Sequence, residues 1–232
     1  MTLLTVENIK VFYGEFQALF GVSLMVEAGQ TVAIIGANGA GKTTLLRAIS
    51  GVLPPQRGVI SYAGERIDGK AAYSIARMGI AMVPEGRKIF PSLSVRENLL
   101  VGAQAGRKGS WQLDSVFDLF PILRERADFP GIDLSGGQQQ MLAIGRALMS
   151  NPAVILMDEI SLGLAPLIVK ELYGTVQAIA NAGTTVLLVE QDVSRSTQVA
   201  DMVYCLLEGQ VSLSGRPAEL DSAQISRAYF GV

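Results

Sequence analysis

Apolar and polar positions alternate along the first thirty-five residues, with breaks at Gly14, Gly21 and Glu27-Ala28-Gly29. A period of two reads as extended chain, and the pattern predicts strands over Leu4 to Val11 and Gly21 to Val26. The run Thr31 to Ile35 is apolar throughout its centre, as a strand buried on both faces is. A helix is predicted from Lys42 to Ser50, stopping at Gly51 because Pro54 and Pro55 cannot continue it. Ser94-Val95-Arg96-Glu97 has the spacing of a capping box and opens an apolar helix through Leu99 and Leu100. Gly106 to Ser110 reads as a flexible connection, and Gln112 to Phe120 as a helix ending before Pro121. From Gly136, residues Met141, Leu142, Gly145, Leu148 and Met149 recur at helical spacing until Asn151-Pro152.

Strand patterns return at Val154 to Met157 and Thr184 to Val189, with a helical stretch from Leu167 to Ala180 between them. Met202 to Leu207 and Val211 to Ser214 flank Glu208-Gly209 and predict a hairpin. Buried strands alternating with helices imply a layered α/β core on a largely parallel sheet. The chain shows neither an internal repeat nor a low-complexity tract.

Composition narrows the chemistry. The 232 residues suit one large domain or two small ones. Hydrophobic residues make up 49% and charged ones 17%, which excludes a disordered polar segment. Mean hydropathy is +0.35, yet no unbroken apolar run nears the ~18 residues of a membrane span. Two origins fit that value: abundant Ala and Gly, or an apolar face kept for a partner. Nineteen basic against twenty-one acidic residues give a net charge of −2, with no basic block to attract nucleic acid. Cys205 is the single cysteine, which rules out an internal disulfide and a multi-cysteine metal cage. The chain has no histidine, so His-based triads and common zinc sites are excluded. The N-terminal residues lack the basic and long apolar regions of a secretory signal, and a cytosolic address is expected.

Gly36-Ala37-Asn38-Gly39-Ala40-Gly41-Lys42-Thr43 fits G-x-x-x-x-G-K-[ST], the phosphate-binding loop, between a predicted strand and helix. Its glycines let the backbone approach a ligand, and its N–H groups, with the helix dipole, can face phosphate oxygens. Lys42 supplies positive charge for the β- and γ-phosphates, and Thr43 offers a hydroxyl to Mg²⁺. Further on, the apolar run Val154-Ile155-Leu156-Met157 ends in Asp158-Glu159. Asp158 is the expected magnesium partner, and Glu159 can orient or deprotonate the attacking water.

Leu134-Ser135-Gly136-Gly137-Gln138-Gln139-Gln140, lying between these two motifs, closely resembles the signature of ABC-transporter ATPases. The resemblance covers essentially the whole chain. It implies a P-loop NTPase (RecA-like) α/β core with an N-terminal antiparallel β subdomain and an inserted helical subdomain. The expected single ATPase domain divides at about 1–84 plus 153–232 for the core and 85–152 for the insert. In that family the signature touches the γ-phosphate of ATP held by a second subunit. This carries over to Ser135, Gly136, Gly137 and Gln138, while Thr44 completes the P-loop set and Tyr13 stacks on adenine. ATP and Mg²⁺ are the implied cofactors.

Val83-Pro84-Glu85-Gly86-Arg87 with Ile89-Phe90-Pro91, Ser161-Leu162-Gly163-Leu164-Ala165-Pro166 and Val189-Glu190-Gln191 are similar to the shorter ATPase subunit of branched-chain amino-acid importers. That resemblance implies a second, longer ATPase, two membrane permeases and an extracytoplasmic binding protein as partners, with no nucleic acid. It also implies attachment to the inner face of the membrane. A homodimer and a heterodimer both remain open, the mixed pair being preferred. Urea or short-amide import is the nearest alternative, followed by a nucleotide sensor and a non-transport clamp.

Four positions depart from the family pattern. Glu85 replaces the glutamine that touches Mg²⁺, and Gln191 the histidine that contacts the γ-phosphate. A glutamine amide can donate that bond but cannot carry a proton charge. Ile160 replaces a proline, and Ala165 the aspartate of the loop that links the two sites. Glu159 is retained, so hydrolysis is expected.

Overall fold

The computed structural model describes residues 1–231. From the N-terminus run β1 (Thr2–Tyr13), β2 (Phe16–Glu27), β3 (Thr31–Ile35), α1 (Lys42–Ile49), β4 (Arg57–Tyr62), β5 (Glu65–Arg66), α2 (Ala72–Met78) and β6 (Ile80–Val83). Four helices follow: α3 (Val95–Gly102), α4 (Leu113–Leu119), α5 (Pro121–Glu125) and α6 (Gly136–Leu148). The chain then returns to strands with β7 (Val154–Asp158), α7 (Pro166–Asn181), β8 (Thr185–Glu190), α8 (Val193–Val199), β9 (Met202–Leu207), β10 (Gln210–Gly215) and α9 (Ser222–Phe230).

Two sheets result. One is antiparallel, in the order β2-β1-β4-β5; the other runs β10-β9-β3-β8-β7-β6. In the second, every neighbouring pair is parallel except the β9–β10 hairpin. Successive side chains on a strand face opposite ways, so a strand covered on both sides feeds two cores. Val154 and Leu156 of β7, with Leu187 and Val189 of β8, pack toward the antiparallel sheet and α1. Ile155, Met157, Val186 and Leu188 from the same strands pack with Leu99, Val116, Leu142 and Leu172 of the helices. A smaller cluster joins Ala33, Ile35, Val203 and Cys205 to Ile225 of α9.

Local chemistry explains the element ends. Ser94 caps α3 reciprocally with Glu97, and Ser135 caps α6 with Gln138. Pro121 ends α4 and then opens α5, where its missing N–H costs nothing. The loop ahead of α3 hangs on Asn98, which is fully buried. Its side-chain oxygen accepts from the Phe90 amide at 2.8 Å, and its amide donates to the carbonyls of Phe90, Leu93 and Ser94. The expected strands and helices recur with boundaries moved by a few residues. Elements that the pattern did not announce are β4, β5, α2, β6, α5, α8 and α9.

Helices α3 and α6 meet at Gly102, where an added Cβ would fall on the backbone carbonyl of Arg146. Gly174, inside α7, faces open space. Overpacking against backbone costs about 1–3 kcal/mol, whereas Gly→Ala in an open helix position gains up to about 1 kcal/mol. Gly102→Ala is therefore expected to lower the denaturation midpoint and Gly174→Ala to raise it, as measured by urea unfolding of the two variants.

Candidate functional site

The C-terminal ends of β3, β7 and β8 lie side by side, and the loops leaving them enclose one cleft. In open α/β sheets this is where ligands settle. The loop after β3 turns tightly into α1. Gly41 caps that helix with φ +100, and a Cβ there would press on the Leu19 side chain. Gly36 lies against the backbone carbonyl of Leu206, so neither position has room for a side chain.

Lys42 is 4% exposed and turns back into its own loop. Its Nζ donates to the carbonyls of Gly36 at 2.8 Å and Ala37 at 3.1 Å, and lies 3.4 Å from a Glu159 carboxylate oxygen. Gln191 donates its amide to the other Glu159 oxygen at 2.6 Å. The Thr43 hydroxyl donates to Asp158 at 3.0 Å. Tyr13, at the end of β1, has its hydroxyl 3.3 Å from Thr44 Oγ1, while Arg47 donates to the same hydroxyl.

The cleft holds about 500 Å³ and is lined by Tyr13, Asn38, Gly39, Gly41, Lys42, Thr43, Thr44, Glu85, Glu159 and Gln191. Asp158 lies buried beneath it, bonded to Thr43. Gly36, Ala37 and Ala40 form the turning backbone behind the lining. Phe16, Ala18 and Leu162 complete the wall; sequence reasoning passed over the first two and named Leu162 only within the stretch 161–166. Phe16 carried a signal, an aromatic placed just beyond Tyr13.

Ser135, Gly136, Gly137 and Gln138 stand outside this cleft, at the start of α6. The Arg87 guanidinium packs on Gly136 and donates to Gln139 at 3.3 Å. A second cavity of about 470 Å³, lined by Glu85, Arg87, Gln139, Gln140 and Glu159, separates the signature from the phosphate loop. Within one chain, then, the signature residues do not reach the nucleotide loop.

Burial pushes the Asp158 carboxyl up to about 6, opposed by the Thr43 hydroxyl and assisted by the Glu159 and Glu85 carboxylates. Burial likewise pushes Glu190 up to about 7, with Ser161 opposing and the Glu159 charge assisting. A phosphate loop beside crowded carboxylates suits a polyphosphate brought with a cation. Mg²⁺ takes oxygen ligands and keeps waters and phosphates in its shell. The Thr43–Asp158 pair, with Glu85 across the cleft, offers such oxygens.

Comparison with known proteins agrees with this geometry. The family model described as ABC transporter matches residues 19–161. The high-affinity branched-chain amino acid transport ATP-binding protein BraG of Pseudomonas aeruginosa is 42% identical, over 99% of this chain and all of that one. The lipopolysaccharide export system ATP-binding protein LptB of Haemophilus influenzae is 31% identical, over 100% of this chain and 98% of that one. A crystal structure of the ADP conformation of an ATP-binding cassette of an ABC transporter superposes with a TM-score of 0.82. It is 30% identical and covers 98% of this chain and 94% of the other. A phosphate loop at three strand ends, a signature helix turned away from it and these end-to-end matches make the chain a member of the ABC transporter family, an ATPase subunit.

Proposed function

We propose that this chain hydrolyses ATP to drive import of branched-chain amino acids, attached to the inner face of a membrane through permease partners. The observation that carries the reading is the convergence of Lys42, Thr43, Asp158, Glu159 and Gln191 on one cleft, in a chain 42% identical to BraG from end to end. The 31% identity to a lipopolysaccharide export ATPase speaks for the machine rather than for the cargo. A mixed pair with a longer ATPase, and a binding protein outside the membrane, belong to the same proposal.

The residues divide the work. Tyr13 stacks on the adenine, and the backbone of residues 36–43, with Thr44, cradles the phosphates. Lys42 exchanges its bonds to the Gly36 and Ala37 carbonyls for the β- and γ-phosphates. That exchange frees Glu159 from its ion pair, leaving the carboxylate to orient water against the γ-phosphate and accept its proton. Gln191 swings its amide from Glu159 toward the γ-phosphate oxygen. Thr43 and Asp158 would hold a magnesium ion, with Glu85 as a further oxygen, and the ion would supply positive charge against the phosphates. Ser135, Gly136, Gly137 and Gln138 act on the nucleotide of the opposing subunit, which accounts for their distance from this chain's own loop.

An apolar groove of about 560 Å³ supports the permease contact. Val52, Tyr73, Phe90 and Val101 line it between α2 and α3, well away from the phosphate cleft. Tyr73 is 70% exposed and Val52 61%, large apolar surfaces to leave in water. Among the described residues no helix is long and apolar enough to cross a membrane. In this proposal the crossing segments belong to the permease partners.

Glu159→Gln is expected to keep MgATP binding and lower kcat by about 10²–10³-fold, the range of a lost general base and water-orienting carboxylate. Phosphate release from the membrane complex measures it, and an unchanged kcat would reject the role. Tyr73→Glu is expected to abolish copurification of two permeases from gently solubilised membranes while nucleotide binding is retained. Recovery of the same permeases with the variant would reject the groove. Uptake of leucine, isoleucine and valine in cells carrying or lacking this chain tests the cargo directly.

The raised Asp158 carboxyl gives a pH prediction. Its ordinary value is 3.8 and its folded value about 6, so the folded protein binds the proton more tightly than the unfolded chain does. Stability from this group is complete below 3.8 and is lost as pH rises through about 6. Nucleotide-free protein should accordingly melt lower as pH climbs from about 4 to 7, the upper part of the fall coming from Glu190, and Asp158→Asn should lessen the fall below about pH 6 while leaving the Glu190 part. The melting gain from MgATP should grow over the same range, because magnesium favours the ionised carboxylate.

A further inference from the structure

Behind the cleft, Glu190 ends β8 with 2% of its surface exposed. Both of its carboxylate oxygens go to one residue: the Ser161 amide donates to Oε1 at 3.1 Å and the Ser161 hydroxyl to Oε2 at 2.9 Å. The backbone of Glu190 pairs with Ile35, the residue before the phosphate loop. Its neighbours on either side, Val189 and Gln191, bond to the Glu159 amide and carboxylate. Three consecutive residues of β8 and its end thus grip Glu159 and Ser161, two positions apart in the loop after β7.

Glu159 sits at φ +46, a left-handed conformation that a side chain with a Cβ adopts only when its surroundings impose it. The grip at Ser161 fixes the exit of that turn. A buried carboxylate is a poor way to gain stability, since an apolar residue of similar volume avoids the desolvation cost. Its use here calls for a geometric reason. The buried Tyr173 hydroxyl of α7 lies near Ser161, Ser196 and Glu190 but makes no hydrogen bond to Glu190, so the carboxylate is not there to satisfy it.

We infer that Glu190 is a positioning residue for hydrolysis: by holding Ser161 through both oxygens, it fixes the turn that aims Glu159 at the phosphate cleft. The same bonds set the start of the loop 161–165, which in this chain lacks an aspartate at position 165. The inference rests on the reading of Glu159 as the group that orients water. Small displacements of such a group are costly, because rate depends on alignment at the sub-ångström to ångström scale.

The test is steady-state and single-turnover hydrolysis by the membrane complex carrying Ser161→Ala, Ser161→Thr, Glu190→Gln or Glu190→Ala, with Glu159→Gln alongside. Ser161→Ala and Glu190→Gln should each lower kcat about 3–10-fold and Glu190→Ala about 10–30-fold, with KM for MgATP within about twofold. Ser161→Thr, which keeps the hydroxyl, should restore kcat to within about twofold. Adding Ser161→Ala to Glu190→Ala should lower kcat no further than about twofold, as expected for one shared interaction. Rates are normalised to nucleotide-binding sites, so a purely structural role would shift the melting temperature and leave kcat per site unchanged. That result in Ser161→Ala and Glu190→Gln, with Glu159→Gln inactive, overturns the role of Glu190 alone. Wild-type turnover in Glu159→Gln would instead remove the proposed base, and the positioning role with it.

Discussion

The Glu159 amide donates to the Val189 carbonyl at 2.9 Å, and this bond between the ends of β7 and β8 anchors the chemistry of the cleft. It holds a glutamate in left-handed backbone geometry beside a lysine and a glutamine that both contact its carboxylate. Without that crossing point the carboxylate would swing with its loop, and Lys42 would lose the counter-charge that balances it in the absence of nucleotide. The strands meet there because each is buried on both faces. Val154, Leu156, Leu187 and Val189 pack one way, while Ile155, Met157, Val186 and Leu188 pack the other. A slip of one residue would exchange the two sets and turn Asp158 out of reach of Thr43.

The nucleotide-free arrangement is self-satisfied. Lys42 is nearly fully buried and finds two carbonyls and a carboxylate. The ammonium thus enters the interior with its donors used, which a buried charge requires. The same partners make it available to a phosphate: a polyanion offers a stronger field than two carbonyl dipoles, and the exchange releases Glu159. Binding and activation are then one rearrangement of a single side chain. Replacing the usual histidine by Gln191 fits this scheme, since an amide can bond to Glu159 in one state and to a phosphate oxygen in the other without a change of charge.

Much of this was legible in the chain before any coordinates. The phosphate loop, Asp158, Glu159 and the signature are short-range patterns whose spacing alone restricts them, and β3, β7 and β8 are uninterrupted apolar runs. The missed elements lack such marks. Strand β6 is only four residues long, directly after Gly79, and β4 opens on Arg57-Gly58. Helix α8 reads Val-Ser-Arg-Ser-Thr-Gln-Val, with no apolar stripe of helical period, and is set by the Asp192 cap and burial of Ser196. Glu190 is the instructive case. A glutamate at the end of an apolar strand reads as the place where the chain meets water, and its partner Ser161 lies 29 residues earlier. Only the register of β7 against β8 brings them together.

A structure of the full chain with magnesium and a non-hydrolysable ATP analogue would show whether nucleotide draws Lys42 out of its own loop and so frees Glu159. Lys42 Nζ is expected against the β- and γ-phosphates, with its contacts to the Gly36 and Ala37 carbonyls broken and the Glu159 carboxylate facing the γ-phosphate. Nucleotide bound in the cleft with Lys42 still on those carbonyls and still paired with Glu159 would contradict it.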